Sequence, residues 1–168
     1  MRQRLVVLKG AEGFADRIQC LMQAIRYASA TGRTLVVDWR DEDWVHDPSE
    51  PLSDYLNIEG HDTLPIADLL DQLRHDPSPR SVFPEAWSDH LLTDQFNAFM
   101  RDAPFKLPEN GACIDLIAKG KRADFDADLV IYPGVGERTY QYSSLNQIRL
   151  SPWIEAGIQD FAKAHQIR

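Results

Sequence analysis

The chain has 168 residues and a mass of 19.2 kDa, room for one domain or two very small ones. It is 43% hydrophobic and 26% charged, the make-up of an ordinary folded protein with a real core. Lys and Arg total 18 against 26 Asp and Glu, a formal net charge of −8; that acidity argues against a general nucleic-acid binder or a protein docked on anionic membranes, both of which need a basic footprint.

Leu5-Val6-Val7-Leu8 reads as a short buried strand, and Gly10-Ala11-Glu12-Gly13 breaks the chain after it. From Phe14 the apolar residues Phe14, Ile18, Leu21, Met22, Ile25 and Ala28 fall on one face of a helix. Gly32 is placed to close that helix in a left-handed turn, and Thr34–Asp38 follows as a second strand. Strand, glycine turn, amphipathic helix and strand form a βαβ unit, whose handedness makes the two strands parallel neighbours.

Residues 39–63 are rich in acids and turn formers and are expected to form a loop with little regular structure. Leu64–Leu73 reads as a helix with Ile66, Leu69, Leu70 and Leu73 on one face, stopped by His75-Asp76-Pro77-Ser78-Pro79. Pro84–Arg101 is expected to contain helix, with Trp87, Leu91, Phe96 and Phe99 turned inward. Ile114–Ile117 and Asp128–Tyr132 read as strands, the second ended by Pro133-Gly134-Val135-Gly136. Ser151-Pro152 has the form of an N-cap followed by proline at the first helical position, and Trp153, Ile154, Ile158, Phe161 and Ala162 give the last helix its apolar face. The expected fold is α/β: one Rossmann-like, three-layer domain over residues 1–168 with a mainly parallel sheet.

The glycine turn is the leading candidate site. Gly10 and Gly13 permit close backbone approach, and the helix from Phe14 points free N–H groups above the strand ends, which suits a phosphate, a carboxylate or sugar hydroxyls. Asp38 stands where dinucleotide folds place an acid for a ribose diol. The pattern Gly10-x-x-Gly13-x-Ala15 is neither G-x-G-x-x-G nor a P-loop, and a glycine turn that only packs helix against sheet fits the spacing equally well. Asp16 complements the helix dipole, whereas Arg17 in the same turn opposes it and suits an anion or an acidic partner. The acids of Asp38–Asp43 fit a solvated loop better than a cation site, and Tyr140 and Tyr142 fit strand packing as well as stacking. The five histidines, His46, His61, His75, His90 and His165, are scattered in surface or helix-end positions. Cys20 and Cys113 form no disulfide or zinc pattern and read as buried reduced thiols; no metal is expected. No apolar run approaches the roughly 18 residues of a membrane span, and Met1–Leu8 lacks a signal-peptide core, so a cytoplasmic location is expected.

The run Gly10–Leu21, with Tyr27-Ala28 and Thr31–Asp41, resembles the opening of the fucosyltransferase-like glycosyltransferases, the nodulation, α-1,6- and protein O-fucosyltransferase type. Trp44, Asp54-Tyr55-Leu56, Val82-Phe83-Pro84-x-x-Trp87 and Asp128–Gly134 extend the similarity along most of the chain. The resemblance implies one half of a two-domain GT-B enzyme, the N-terminal, acceptor-side domain. It places Gly10, Gly13, Phe14, Ala15, Asp16 and Arg17 at a nucleotide-sugar cleft, with Asp38, Trp39 and the loop after them toward the acceptor. The implied ligands are a GDP-fucose-like nucleotide-sugar and a glycan acceptor, with no cofactor and no identified catalytic residue. Ala15 departs from the glycine usual in the family, which crowds the backbone there. The donor-binding domain and its His-x-Arg motif are not expected in this sequence, so sugar transfer by these residues alone is not expected either. A non-catalytic glycan-, nucleotide- or protein-binding descendant, self-associating through the docking face of the missing domain, and a small Rossmann-type nucleotide binder are the alternatives.

Overall fold

The computed structural model describes residues 3–10, 13–40, 47, 50–76, 78, 80–90, 117, 124–134 and 144–167. Strand β1 (Leu5–Gly10) leads through helix α1 (Phe14–Thr31) to strand β2 (Thr34–Asp38), and the two strands pair in parallel from Leu5↔Thr34 to Lys9↔Asp38. Gly13 is the N-cap of α1. Gly32 ends the helix at φ 65°, its N–H donating to the Ala28 carbonyl, a left-handed turn that glycine enters without a Cβ clash.

Three further strands follow: β3 (Leu56–Ile58), β4 (Val82–Phe83) and β5 (Leu129–Gly134), with helix α2 (Ile66–His75) between β3 and β4. The main sheet has the order β2-β1-β5-β4 and all its pairings are parallel. Every residue of β1, β2 and β5 is buried, as expected of parallel strands covered on both faces. Alternation divides their side chains: Val6, Leu8, Leu35, Val37, Val130 and Tyr132 pack with Leu21, Ala24, Ile25 and Ala28 of α1. Leu5, Val7, Val36, Leu129 and Ile131 pack on the opposite face with Leu69 of α2 and Trp87. The fold is the three-layer α/β arrangement expected.

Several local expectations are corrected. Residues 39–63 are not featureless: a 3-10 turn at Leu52–Asp54 precedes β3, which pairs antiparallel with β6 (Ile148–Leu150) in a separate two-stranded sheet. Helix α2 begins at Ile66 because Pro65 occupies its N-cap, two residues later than the periodicity suggests. In the segment from Pro84 the described structure is a 3-10 turn, Glu85–His90, with Trp87 fully buried; Leu91, Phe96 and Phe99 lie outside the described residues. Ile117, expected in a strand, is helical and buried. Pro133 and Gly134 continue β5 instead of ending it; β4 pairs only with Leu129 and Val130, so no described strand on that side needs the N–H that Pro133 lacks.

The last helix, α3 (Pro152–Ala164), starts at Ser151 as the motif indicates, yet the Ser151 side chain caps nothing and donates to the Ser53 carbonyl instead. None of its residues is buried, and Trp153, Ile158 and Phe161 are 63%, 53% and 59% exposed. Cys20 is buried and in no disulfide; Cys113 lies outside the described residues. Among the described residues no helix is long and apolar enough to cross a membrane.

Candidate functional site at the carboxyl edge of the sheet

The chain runs from β1 to β2 on one side and enters β5 on the other, with α1 and α2 on opposite faces. The carboxyl ends of β1 and β5 therefore flank the topological switch point, where open α/β sheets bind ligands. Gly10 and Gly134 are register partners there. Both glycines are required by packing. A Cβ on Gly10 would lie 2.2 Å from Cδ1 of Trp39, and one on Gly134 would lie 3.0 Å from the Lys9 carbonyl oxygen and 3.1 Å from Cβ of Cys20.

The indole of Trp39 thus covers Gly10. Phe14, 63% exposed, meets it edge-on with ring centroids 6.4 Å apart. Arg17 is buried against the same ring, its guanidinium carbon 5.7 Å from the centroid and Nη1 donating to the Trp39 carbonyl at 3.2 Å. Gly13 is open, since a Cβ added there would meet only a carboxylate oxygen of Asp16, at 3.8 Å, and Ala15 is exposed on the first turn of α1. Ala11 and Glu12 lie outside the described residues. Trp39 Nε1 is buried and has no hydrogen-bond partner among the described residues.

Asp38 turns inward. Its Oδ2 accepts from Lys9 Nζ at 2.5 Å and from Arg40 Nη2 at 3.1 Å, while Oδ1 accepts from Arg40 Nε at 2.8 Å. Both members of the Lys9–Asp38 pair are almost wholly buried. Burial alone would raise the Asp38 pKa, but the Lys9 charge and the hydrogen bond and charge of Arg40 outweigh it and hold the carboxyl below its ordinary range. Among the described residues Asp38 is thus held by two cations, Lys9 and Arg40, while Arg17 stands on the neighbouring Trp39.

The structure brings Gly10, Gly13, Phe14, Ala15, Asp16, Arg17, Asp38 and Trp39 to one end of the sheet. It also adds Lys9, Arg40 and Gly134, which the sequence alone did not single out. The signal for Lys9 was present: a charge closing a wholly apolar strand, in the position that parallel pairing sets beside Asp38. Asp41–Asp43, His46, Tyr140 and Tyr142 lie outside the described residues. His75 and His165 stand at helix ends and His90 ends a 3-10 turn, as expected.

No family model matches the sequence, and no curated protein matches it. Solved structures do. The crystal structure of the fucosyltransferase NodZ from Bradyrhizobium superposes with a TM-score of 0.64 at 22% identity, over 98% of this chain and 56% of that one. The NodZ α-1,6-fucosyltransferase soaked with GDP-fucose gives 0.67 at 23% identity, with the same shares of the two chains, and the form co-crystallised with GDP gives 0.63 at 23%, over 98% and 57%. The chain thus has the fold of about half of that enzyme and spans about half its length.

Proposed function

We propose that the chain is the acceptor-side half of a fucosyltransferase-like glycosyltransferase, which transfers a sugar from a nucleotide-sugar such as GDP-fucose to a glycan. Turnover then requires a donor-binding half, and the site at the carboxyl edge of the sheet faces it. The observation that carries this reading is the fold shared along 98% of the chain with an enzyme solved with GDP and soaked with GDP-fucose. The site supports it: the N-terminus of α1 suits a diphosphate. The orphaned Trp39 Nε1 is a donor that a ligand oxygen would satisfy, since a buried unpaired donor costs roughly 1–3 kcal/mol. A cytoplasmic location accompanies this reading.

A second reading, a non-catalytic binding domain on the same fold, is favoured by the inward ties of Asp38 and Arg17. One titration separates the two. GDP, GDP-fucose and oligosaccharides are added to the purified chain and its thermal unfolding is followed. Saturation at ~100 times the dissociation constant stabilises by about 2.7 kcal/mol, which moves the midpoint by several degrees. Ala15→Glu, on an exposed first-turn position, sets a negative charge at the anion site while favouring the helix dipole. A GDP shift that this variant abolishes supports the enzyme half. A shift with oligosaccharide alone supports the binding domain.

A further inference from the structure

The exposed large apolar side chains of the described residues are not scattered. All but Phe14 belong to the stretch from Leu145 to Ile167 or, in the case of Tyr55, lie against it. Tyr55 meets Trp153 edge-on with ring centroids 6.3 Å apart, and Leu150 ends β6 just before α3. Helix α3 is tied down at its base alone: the Ser151 N–H donates to the Tyr55 carbonyl, the Ser151 hydroxyl to Ser53 and Trp153 Nε1 to Asp54. Of its 13 residues only Ile154 and Ala162 are even partly covered. A helix this short has little stability in water unless a face of it is packed.

The face itself says what packs there. Trp153, Gly157 and Phe161 form one i, i+4, i+8 ridge, with Ile154 and Ile158 beside it, while Glu155, Gln159 and Lys163 lie on the far side. Gly157 stands midway along the ridge, and a Cβ added there would meet nothing within 4 Å. A ridge with a gap at its centre and an aromatic ring four residues to either side keeps its pattern when the helix direction is reversed. It therefore fits a copy of itself across a two-fold axis, as an isologous interface requires. At side-chain areas of roughly 150–250 Å² the exposed groups leave on the order of 600 Å² of apolar surface on each copy. With a polar rim that approaches the roughly 800 Å² per partner of a stable interface, and it reaches the top of the range for apolar patches on monomers.

We infer that the partner of this face is a second copy of the chain. Two α3 helices cross antiparallel at Gly157, in ridge-into-groove contact at about 50°. The two glycines meet at the crossing point, where the backbones are closest. Trp153 of each copy fills the widening space beside the other's Phe161, and Tyr55 and Leu150 extend the contact at the base of the helix. No charge lies on the ridge, so the net charge of −8 on each copy opposes pairing only at long range, and salt should tighten it. The pairing is independent of sugar transfer.

Sedimentation velocity of the purified chain from about 1 to 300 μM tests it. The expected result is a monomer–dimer equilibrium that shifts toward dimer with added sodium chloride. Phe161→Glu, at an exposed position where the fold does not need the ring, should weaken the dimer more than about a hundredfold with an unchanged circular dichroism spectrum. Gly157→Leu separates a fixed crossing from mere stickiness. It adds apolar surface and helix propensity, yet it should weaken the dimer about tenfold or more by holding the helices apart. Gly157→Cys should cross-link into a covalent dimer under mild oxidation, because the two-fold axis sets the residue beside its own copy, while Gln159→Cys and the unaltered chain should not. A monomer throughout the concentration range overturns the inference and leaves the face to a different protein. So does a dimer that Gly157→Leu leaves as tight or tighter, or equal cross-linking from positions 157 and 159.

Discussion

Gly10 and Trp39 leave no room for a side chain between them: a Cβ on Gly10 would sit 2.2 Å from Cδ1 and 2.5 Å from Nε1 of the indole. The glycine that reads in sequence as room for a ligand is thus occupied on one side by the chain's own tryptophan.

Gly10→Ala should therefore displace the indole and destabilise the fold by about 1–3 kcal/mol, the range for an added methyl group in a packed site. Urea unfolding reads the loss, and near-ultraviolet dichroism reads the tryptophan. In the double variant Gly10→Ala/Trp39→Leu most of the loss should vanish, because the clashing partner is gone. A neutral Gly10→Ala would mean that the indole is not seated on this glycine in solution.

Lys9 and Asp38 form a pair that water does not reach. Lys9→Met should cost toward the lower end of about 3–5 kcal/mol, since Arg40 stays behind to answer part of the Asp38 charge. Lys9→Met/Asp38→Leu should cost much less than the sum of the single changes, as no uncompensated charge remains. Additive single and double variants in denaturant titration would exclude a direct ion pair.

Acid should weaken the fold through the same carboxylate. The Asp38 pKa is lowered in the folded chain, where the charges of Lys9 and Arg40 outweigh the effect of burial, and that of Asp124 is lowered too, where hydrogen bonds from Tyr27 and Arg33 do so. In the unfolded chain an aspartate titrates near ~3.9. Between the folded and unfolded values the unfolded chain binds more protons, so this stabilisation is complete above the unfolded value and is lost as pH falls through the folded one. Unfolding free energy measured down the pH scale should drop below about pH 4. The drop should be shallower in Asp38→Asn, which has no proton to take up at that site.

The βαβ unit was legible because its signals are local. An apolar run, a glycine break, a 3.6-residue period and Gly32 in a left-handed turn each act within a few residues of one another. The β3–β6 ladder was not, because Leu56–Ile58 and Ile148–Leu150 are each three residues long and find their partners far along the chain. The two-residue β4 exists only because β5 offers it an edge. The residues singled out in sequence around Gly10 and Asp38 do lie together at one end of the sheet. That Asp38 is neutralised from two sides was not legible there, since it depends on register: one step of slip would take Lys9 away from Asp38. The apolar face of α3 was legible as a pattern, but whether a face is covered is a tertiary fact.

Arg33 supports the opposite end of the sheet, and its loss should be the most damaging single change among the charged residues described above. It is buried, with Nε donating to Asp124 at 2.9 Å, Nη1 to the carbonyls of Leu5 and Asp128 at 3.1 and 3.4 Å, and Nη2 to those of Phe125 and Ala127 at 2.7 and 2.9 Å. One guanidinium thus ties the start of β1 to the chain entering β5. Arg33→Met leaves Asp124 and these carbonyls short of a donor and should cost about 3–5 kcal/mol. Arg33→Lys should recover less than half of that, because an ammonium cannot reproduce the planar fork. Arg4 also pairs with Asp124, at 2.5 Å, but its side chain is 43% exposed, so Arg4→Ala should cost less than about 1 kcal/mol. Equal costs for the Arg4 and Arg33 variants in denaturant unfolding would place the support of this end of the sheet in Asp124 and Tyr27 instead. The predicted ordering assigns it to the arginine that reaches both strands.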